Sequence, residues 1–392
     1  MKFTIWHDND YDFALWVYEN SELKNKANVI IRPIPKNNNP KTLLKIIKSK
    51  EDCVILPVIK YESPDIIIQK TTDNENKILA VTEFMTHTPQ WQHPAQRFTR
   101  IYGASILKIP SALVVAKRMI KYEQVDGVYV EKNYSLSPII PKLYHRTSTI
   151  NQTPTLIFMW PTDGFHKIDP KRPTAPKMEG DTIEWIKFLN ACIDEDNSTM
   201  KKVIKKYNAK TVEYLKEKGE KISSMDDIVI EQKNYETLEG PIKVDNNKNF
   251  ENISEGIKLE EGLMFRPKGL SPPTSYFRTD PYAGMLSAYD NLFCRDQDGK
   301  RKYNLILIAE NVELQKLLEK GTFIDVTEHD KDQCPFENFT TLENMTFEEI
   351  IEHIQKGNCP FTSTKQQRIY AQIAEGIVFD DQWYSEMTNE SL

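Results

Sequence analysis

The stretch between residues 54 and 85 constrains the fold more than any other part of this chain. Val54 to Tyr61 leads into Pro64-Asp65-Ile66-Ile67-Ile68, and Ile78-Leu79-Ala80-Val81-Thr82-Glu83-Phe84-Met85 follows. Both runs are short and rich in β-branched residues. Asp73, Asn74 and Asn76 stand between them, residues whose side chains bond to nearby backbone and so turn a chain. The pattern predicts two strands joined as a hairpin. Alternation along the second places Val81, Glu83 and Met85 on one face and Thr82 and Phe84 on the other. An acid at the mouth of one strand, Asp65, and an acid within its partner, Glu83, then converge on one point. Two such carboxylates repel unless a cation or a proton joins them. A hard divalent ion such as magnesium suits oxygen donors and keeps some of its waters.

A helix follows. Pro89 and Pro94 punctuate its approach, and Pro94 suits a first helical turn. From Ala95 to Leu107 the apolar stripe is Phe98, Ile101, Tyr102 and Ile106, while Arg97 and Arg100 share a different face. Arg97, Arg100, Lys108, Lys117, Arg118 and Lys121 form a basic stretch with no acid inside it, suited to holding a phosphate backbone. Pro110 to Ala116 reads as a buried strand, parallel to an earlier one through the helical crossover.

The order helix, strand with Pro-Asp, hairpin strand with Glu, helix with Gln-Arg and further buried strand resembles the PD-(D/E)xK nuclease superfamily. More narrowly, Tyr61-Glu62-Ser63-Pro64-Asp65, Val81-Thr82-Glu83-Phe84-Met85-Thr86-His87 and Gln96-Arg97-Phe98-Thr99-Arg100 are similar to its restriction-endonuclease-like members. The resemblance covers about a quarter to a third of the chain. It implies an α/β fold, a restriction-endonuclease-like mixed sheet flanked by helices, and hydrolysis of double-stranded DNA as by a sequence-specific type II restriction enzyme. Asp65 and Glu83 would be the ligands of Mg2+ (or Mn2+), and Gln96 with Arg97 would position the water or the scissile phosphate. Arg97, Arg100, Lys117, Arg118 and Arg278 would contact DNA.

One position departs from that pattern. The family's lysine, two residues after the acid, is Met85 here. A thioether neither orients nor deprotonates water and is a poor ligand for a hard cation. His87, Lys70 and Gln96 are the candidates to replace it. Beside the nuclease stand a non-catalytic nucleic-acid-binding or regulatory protein on the same fold, and a nuclease of repair or of RNA. Each acid also has a plain structural role: Pro-Asp makes an ordinary turn, and a strand glutamate can simply face water.

The chain is 392 residues long with a net charge of −6, which argues against a protein that coats nucleic acid indiscriminately. Residues 1–150 hold 21 Lys+Arg against 15 Asp+Glu (+6), and the remainder 30 against 42 (−12). A local basic cleft on an otherwise acidic chain fits selective binding. No run reaches the length of a membrane span. Five scattered cysteines without metal-binding spacing read as reduced thiols, hence a cytoplasmic protein. Double-strand cleavage calls for two active sites, so a homodimer is expected.

The organisation reads as a nuclease core over 1–200, a charged helix and flexible insert over 201–262, and a C-terminal region over 263–392 for recognition or assembly. That last region is read as mainly helical overall, from patterns at 347–355 and 365–375, with a strand at Tyr303 to Ala309. Arg278-Thr279-Asp280-Pro281 enters a further helix there, with Asp280 placed as an N-cap. Elsewhere Thr155 to Trp160 reads as a strand, Thr182 to Ile193 as an amphipathic helix, and the lysine-rich 201–221 as a helix with a solvated face.

Overall fold

The expected hairpin is present, as an antiparallel pair of β3 (Ile66–Thr71) and β4 (Asn76–Met85). It lies at the centre of a six-stranded mixed sheet in a computed structural model that describes residues 1–35, 46–59, 62–85, 92–160, 168–169, 172–228, 238–245, 261–267, 287–296, 298–308, 324–327, 376–379 and 382–385. Two compact units divide the chain, the second comprising mainly Glu231–Leu392.

In the first unit the strand order is β2-β1-β3-β4-β5-β8, with β1 Lys2–His7, β2 Val29–Pro33, β5 Ser111–Ala116 and β8 Thr155–Trp160. β1 runs parallel to β2 and antiparallel to β3, and β4, β5 and β8 are mutually parallel. Strands at the parallel end are buried on both faces, and Ser111–Ala116 and Thr155–Trp160 accordingly lack any exposed residue. The β3–β4 ladder pairs Gln69 with Ile78 but Ile68 with Ala80, skipping Leu79.

Helices cover both faces. On one lie α1 (Tyr11–Asn20) and α5 (Asp181–Ile193), and on the other α3 (Gln92–Ile106) and α4 (Ile139–Asn151). Asp10 starts α1 by accepting from the Phe13 amide at 2.9 Å. Phe13, Ala14, Trp16 and Val17 form its buried face. Phe13 stacks on Phe84 of β4 at 5.0 Å, and Trp16 stacks nearly parallel to Trp185 of α5 at 5.8 Å. Such aromatic pairs contribute about 0.5–1.5 kcal/mol each beyond the area they bury. Trp185 also donates to Thr82 at 3.3 Å. Thr82 and Phe84 thus face α1 and α5, as alternation requires, which turns Glu83 toward α3.

Several sequence expectations change. Val54 to Ile59 is not a strand: residues Lys50–Ile55 form a 3-10 turn that runs into α2 (Leu56–Ile59). Pro57 fits that helical first turn and would interrupt a ladder. Asn197–Glu217 is one helix, α6, that buries Val203, Tyr207, Thr211, Tyr214 and Leu215 and packs on α5. Its lysines are the solvated side of a core helix, so the first unit continues to Ile230 rather than ending near 200. A two-stranded ribbon, β6 (Arg118–Val125) with β7 (Val128–Ser135), was not anticipated. Its tip is Asp126-Gly127 with φ of 50° and 82°, the left-handed pair that a two-residue hairpin turn demands.

The second unit contains another six-stranded mixed sheet, in the order Leu238–Asp245, Glu261–Pro267, Asn304–Ile308, Gly376–Phe379, Gln382–Ser385, Ile324–Thr327. This sheet stands where a mainly helical region was expected; the helical patterns at 347–355 and 365–375 lie outside the described residues. Among the described residues, no helix is long and apolar enough to cross a membrane.

Candidate active site

Register alone brings the two acids together. Ile66 pairs with Thr82, so the next residues out, Asp65 and Glu83, stand opposite each other on one face. They are tied reciprocally: the Asp65 amide donates to Glu83 Oε2 at 3.2 Å, and the Phe84 amide donates to Asp65 Oδ2 at 2.8 Å. Glu83 is wholly excluded from solvent, and the Asp65 side chain is 18% exposed.

Their counter-charges come from α3. This helix packs Ala95, Phe98, Ile101, Tyr102 and Ala104 into the core, which leaves Arg97 and Arg100, three residues apart, side by side. Arg97 Nη1 donates to Glu83 Oε1 at 3.0 Å. Arg100 Nη1 reaches both acids, at 3.0 Å from Glu83 Oε1, 3.3 Å from Glu83 Oε2 and 3.5 Å from Asp65 Oδ1. Burial raises the Asp65 pKa above the ordinary carboxylate value, and neighbouring Asp8 pushes the same way. Arg100, the Phe84 amide and Arg97 oppose the rise without cancelling it.

Asp8 was not foreseen. Its amide donates to the Asp65 carbonyl at 3.1 Å, continuing the pairing of His7 with Ile66. The available signal was the alternation of Lys2–His7 followed at once by an acid. Tyr144 of α4 was missed too. It is fully buried against Phe98, in the field of Glu83, and its hydroxyl has no hydrogen-bond partner among the described residues. Burial, then Glu83, pushes its ionisation well above the usual phenol value. A buried hydroxyl without a partner costs about 1–3 kcal/mol. Tyr144→Phe is therefore expected to raise stability by about 1 kcal/mol in urea unfolding, and a less stable variant would show that the hydroxyl has a role.

The remaining candidates fall elsewhere. Met85 is buried two residues beyond Glu83. Lys70 lies at the far end of β3, about 16 Å along the strand from Asp65, and pairs with Glu195. It cannot replace the strand lysine. Lys70→Ala should leave any cleavage rate unchanged and shift stability by less than about 1 kcal/mol; a large rate loss would contradict this placement. Gln96 sits on α3 beside Arg97. His87 and Arg278 are outside the described residues. Lys117 and Arg118 follow β5 at the same sheet end as Met85, where Lys117 is paired with Glu217 at 2.9 Å. In the second unit, Arg295 and Arg301 both bind buried Asp290.

The donor set fits a hard divalent ion held by two carboxylates and completed by water and phosphate oxygens. Both acids are fixed by backbone bonds, and among the described residues neither cysteine nor histidine joins them. Among the described residues, no three Asp, Glu, His or Cys side chains converge. No protein-family model, curated protein or solved structure matches the chain, which leaves this cluster of Asp65, Glu83, Arg97 and Arg100 as the ground for any functional reading.

Proposed function

We propose that the chain is a divalent-metal-dependent endonuclease of double-stranded DNA, of restriction type, acting in the cytoplasm as a homodimer. The observation that carries this reading is the cross-strand pair Asp65 and Glu83 at the mouth of a mixed sheet, with two arginines of the next helix beside it. Magnesium or manganese bound there would supply Lewis acidity toward a phosphate oxygen and a more acidic water. Asp65 and Glu83 are the residues that would hold it. Arg97, the more exposed arginine at 34%, would draw in a backbone phosphate. Arg100 keeps the two carboxylates together. Met85 offers no group that accepts a proton, so the base would have to come from another residue.

Purified protein incubated with plasmid and phage DNA tests the proposal, with magnesium, with EDTA and with Glu83→Gln. Discrete fragments that need magnesium and vanish in the variant are the expected result. Smearing with the same dependences would point to a repair or nonspecific nuclease, and preference for RNA would change the substrate class. The second reading is a non-catalytic nucleic-acid-binding protein. Buried Met85 in the lysine position and the double arginine contact on Glu83 favour it. Salt-sensitive DNA binding without cleavage under any divalent ion would establish that alternative.

A further inference from the structure

Two carboxylates and two guanidinium groups interlock at this site, and Asp8 adds a further negative charge beside Asp65. Asp65 and Glu83 carry two negative charges, and Arg97 and Arg100 carry two positive ones. A divalent cation entering such a cluster would face two guanidinium groups already bonded to its ligands. An incoming phosphate would face two carboxylates. Each ligand alone meets a group of its own sign, and the two together can each take a partner of the opposite sign.

The arginines are not equivalent. Arg100 is 14% exposed and bridges both acids. Arg97 is 34% exposed and bonds to Glu83 alone, at an oxygen that Arg100 also contacts. Releasing Arg97 therefore leaves Glu83 with a partner, whereas releasing Arg100 leaves Asp65 without its guanidinium. Arg97 also stands one residue from Gln96 on the same helix.

We propose that Arg97 is an exchangeable stand-in that couples the two ligands. It moves from Glu83 to a backbone phosphate as the divalent cation arrives, while Arg100 stays on the carboxylates. The inference rests on the nuclease reading above and adds its regulation: the DNA-free protein binds the metal weakly, and DNA and metal each tighten the other. Linkage makes that enhancement the same factor in both directions. It also gives a protein that carries little charged metal until DNA is bound.

The test uses the full chain with Mn2+ as probe, following the free ion by electron paramagnetic resonance with and without a short mixed-sequence duplex. In the wild type the duplex should tighten Mn2+ by about tenfold or more, and Mn2+ should tighten the duplex by the same factor. Arg97→Gln should bind Mn2+ several-fold more tightly than wild type without DNA and lose most of the enhancement. Its salt dependence of duplex binding should fall by about one unit of slope. Arg97→Lys, which keeps the charge, should retain the coupling. Equal Mn2+ affinity with and without duplex in the wild type would overturn the inference, as would an Arg97→Gln protein that matches wild type in both states. Those results leave the nuclease reading standing, because they still involve bound metal. No Mn2+ binding in any folded variant, with or without duplex, would remove both.

Discussion

Glu83→Gln should abolish magnesium-dependent cleavage, with a loss on the order of 10³ or more, and should also destabilise the first unit. The side chain is fully buried, and its oxygens accept from Arg97, Arg100 and the Asp65 amide. An amide in the same place removes the charge and turns donor hydrogens toward groups that are themselves donors. Breaking one side of a buried ion pair costs about 3–5 kcal/mol. The lower figure applies here, because Arg97 can turn to water and Arg100 retains Asp65. Thermal unfolding should therefore fall by roughly 6–12 °C for a unit of this size. Wild-type cleavage by Glu83→Gln would end its assignment as a ligand, and unchanged stability would mean that the arginine contacts contribute little.

Asp65→Asn should remove cleavage equally and move stability the other way. Asp65 has its pKa raised by burial, with Asp8 adding to the effect. The folded state therefore favours the protonated form. That contribution is fully present below the unfolded carboxylate value near 4 and is lost as pH rises through the folded value. At neutral pH the ionised group works against the fold. Asparagine is neutral throughout and can still accept from the Phe84 amide. The variant should be more stable than wild type at pH 8 in urea unfolding, with a shallower decline between pH 4 and pH 8. A variant less stable than wild type at pH 8 would show that Arg100 outweighs burial at this position. Of the two facing carboxylates, only Asp65 then has the sign of a group held at the expense of stability.

The parts of the site legible in the sequence were those carried by local pattern. β3, β4, α3 and β5 follow from β-branched runs, an Asn/Asp turn and a helical stripe, all within 50 residues. Alternation correctly separated Glu83 from Thr82 and Phe84, because each face meets a different helix. What stayed hidden was non-local. Asp8 joins the site only because β1, some 60 residues earlier, pairs with β3. The arginines were read as DNA contacts, since pairing across 14 or 17 residues leaves no periodic trace. Apolar content at 54–59 suited a strand or a helix equally, and burial on the sheet decided for helix.

Leu79 has no partner across the β3–β4 ladder. Had pairing run evenly from Thr71 opposite Asn76, Asp65 would face Thr82, and Glu83 would lie one place out, on the other side of the sheet. One supernumerary residue, about 13 Å along the strand from Glu83, therefore sets the phase in which both acids meet. The carboxylate pair has a reading frame of its own. Removing Leu79 itself would only even out the ladder, with Asp65 still opposite Glu83, whereas one further residue inserted between Leu79 and Glu83 would leave both acids in the chain and put them out of step.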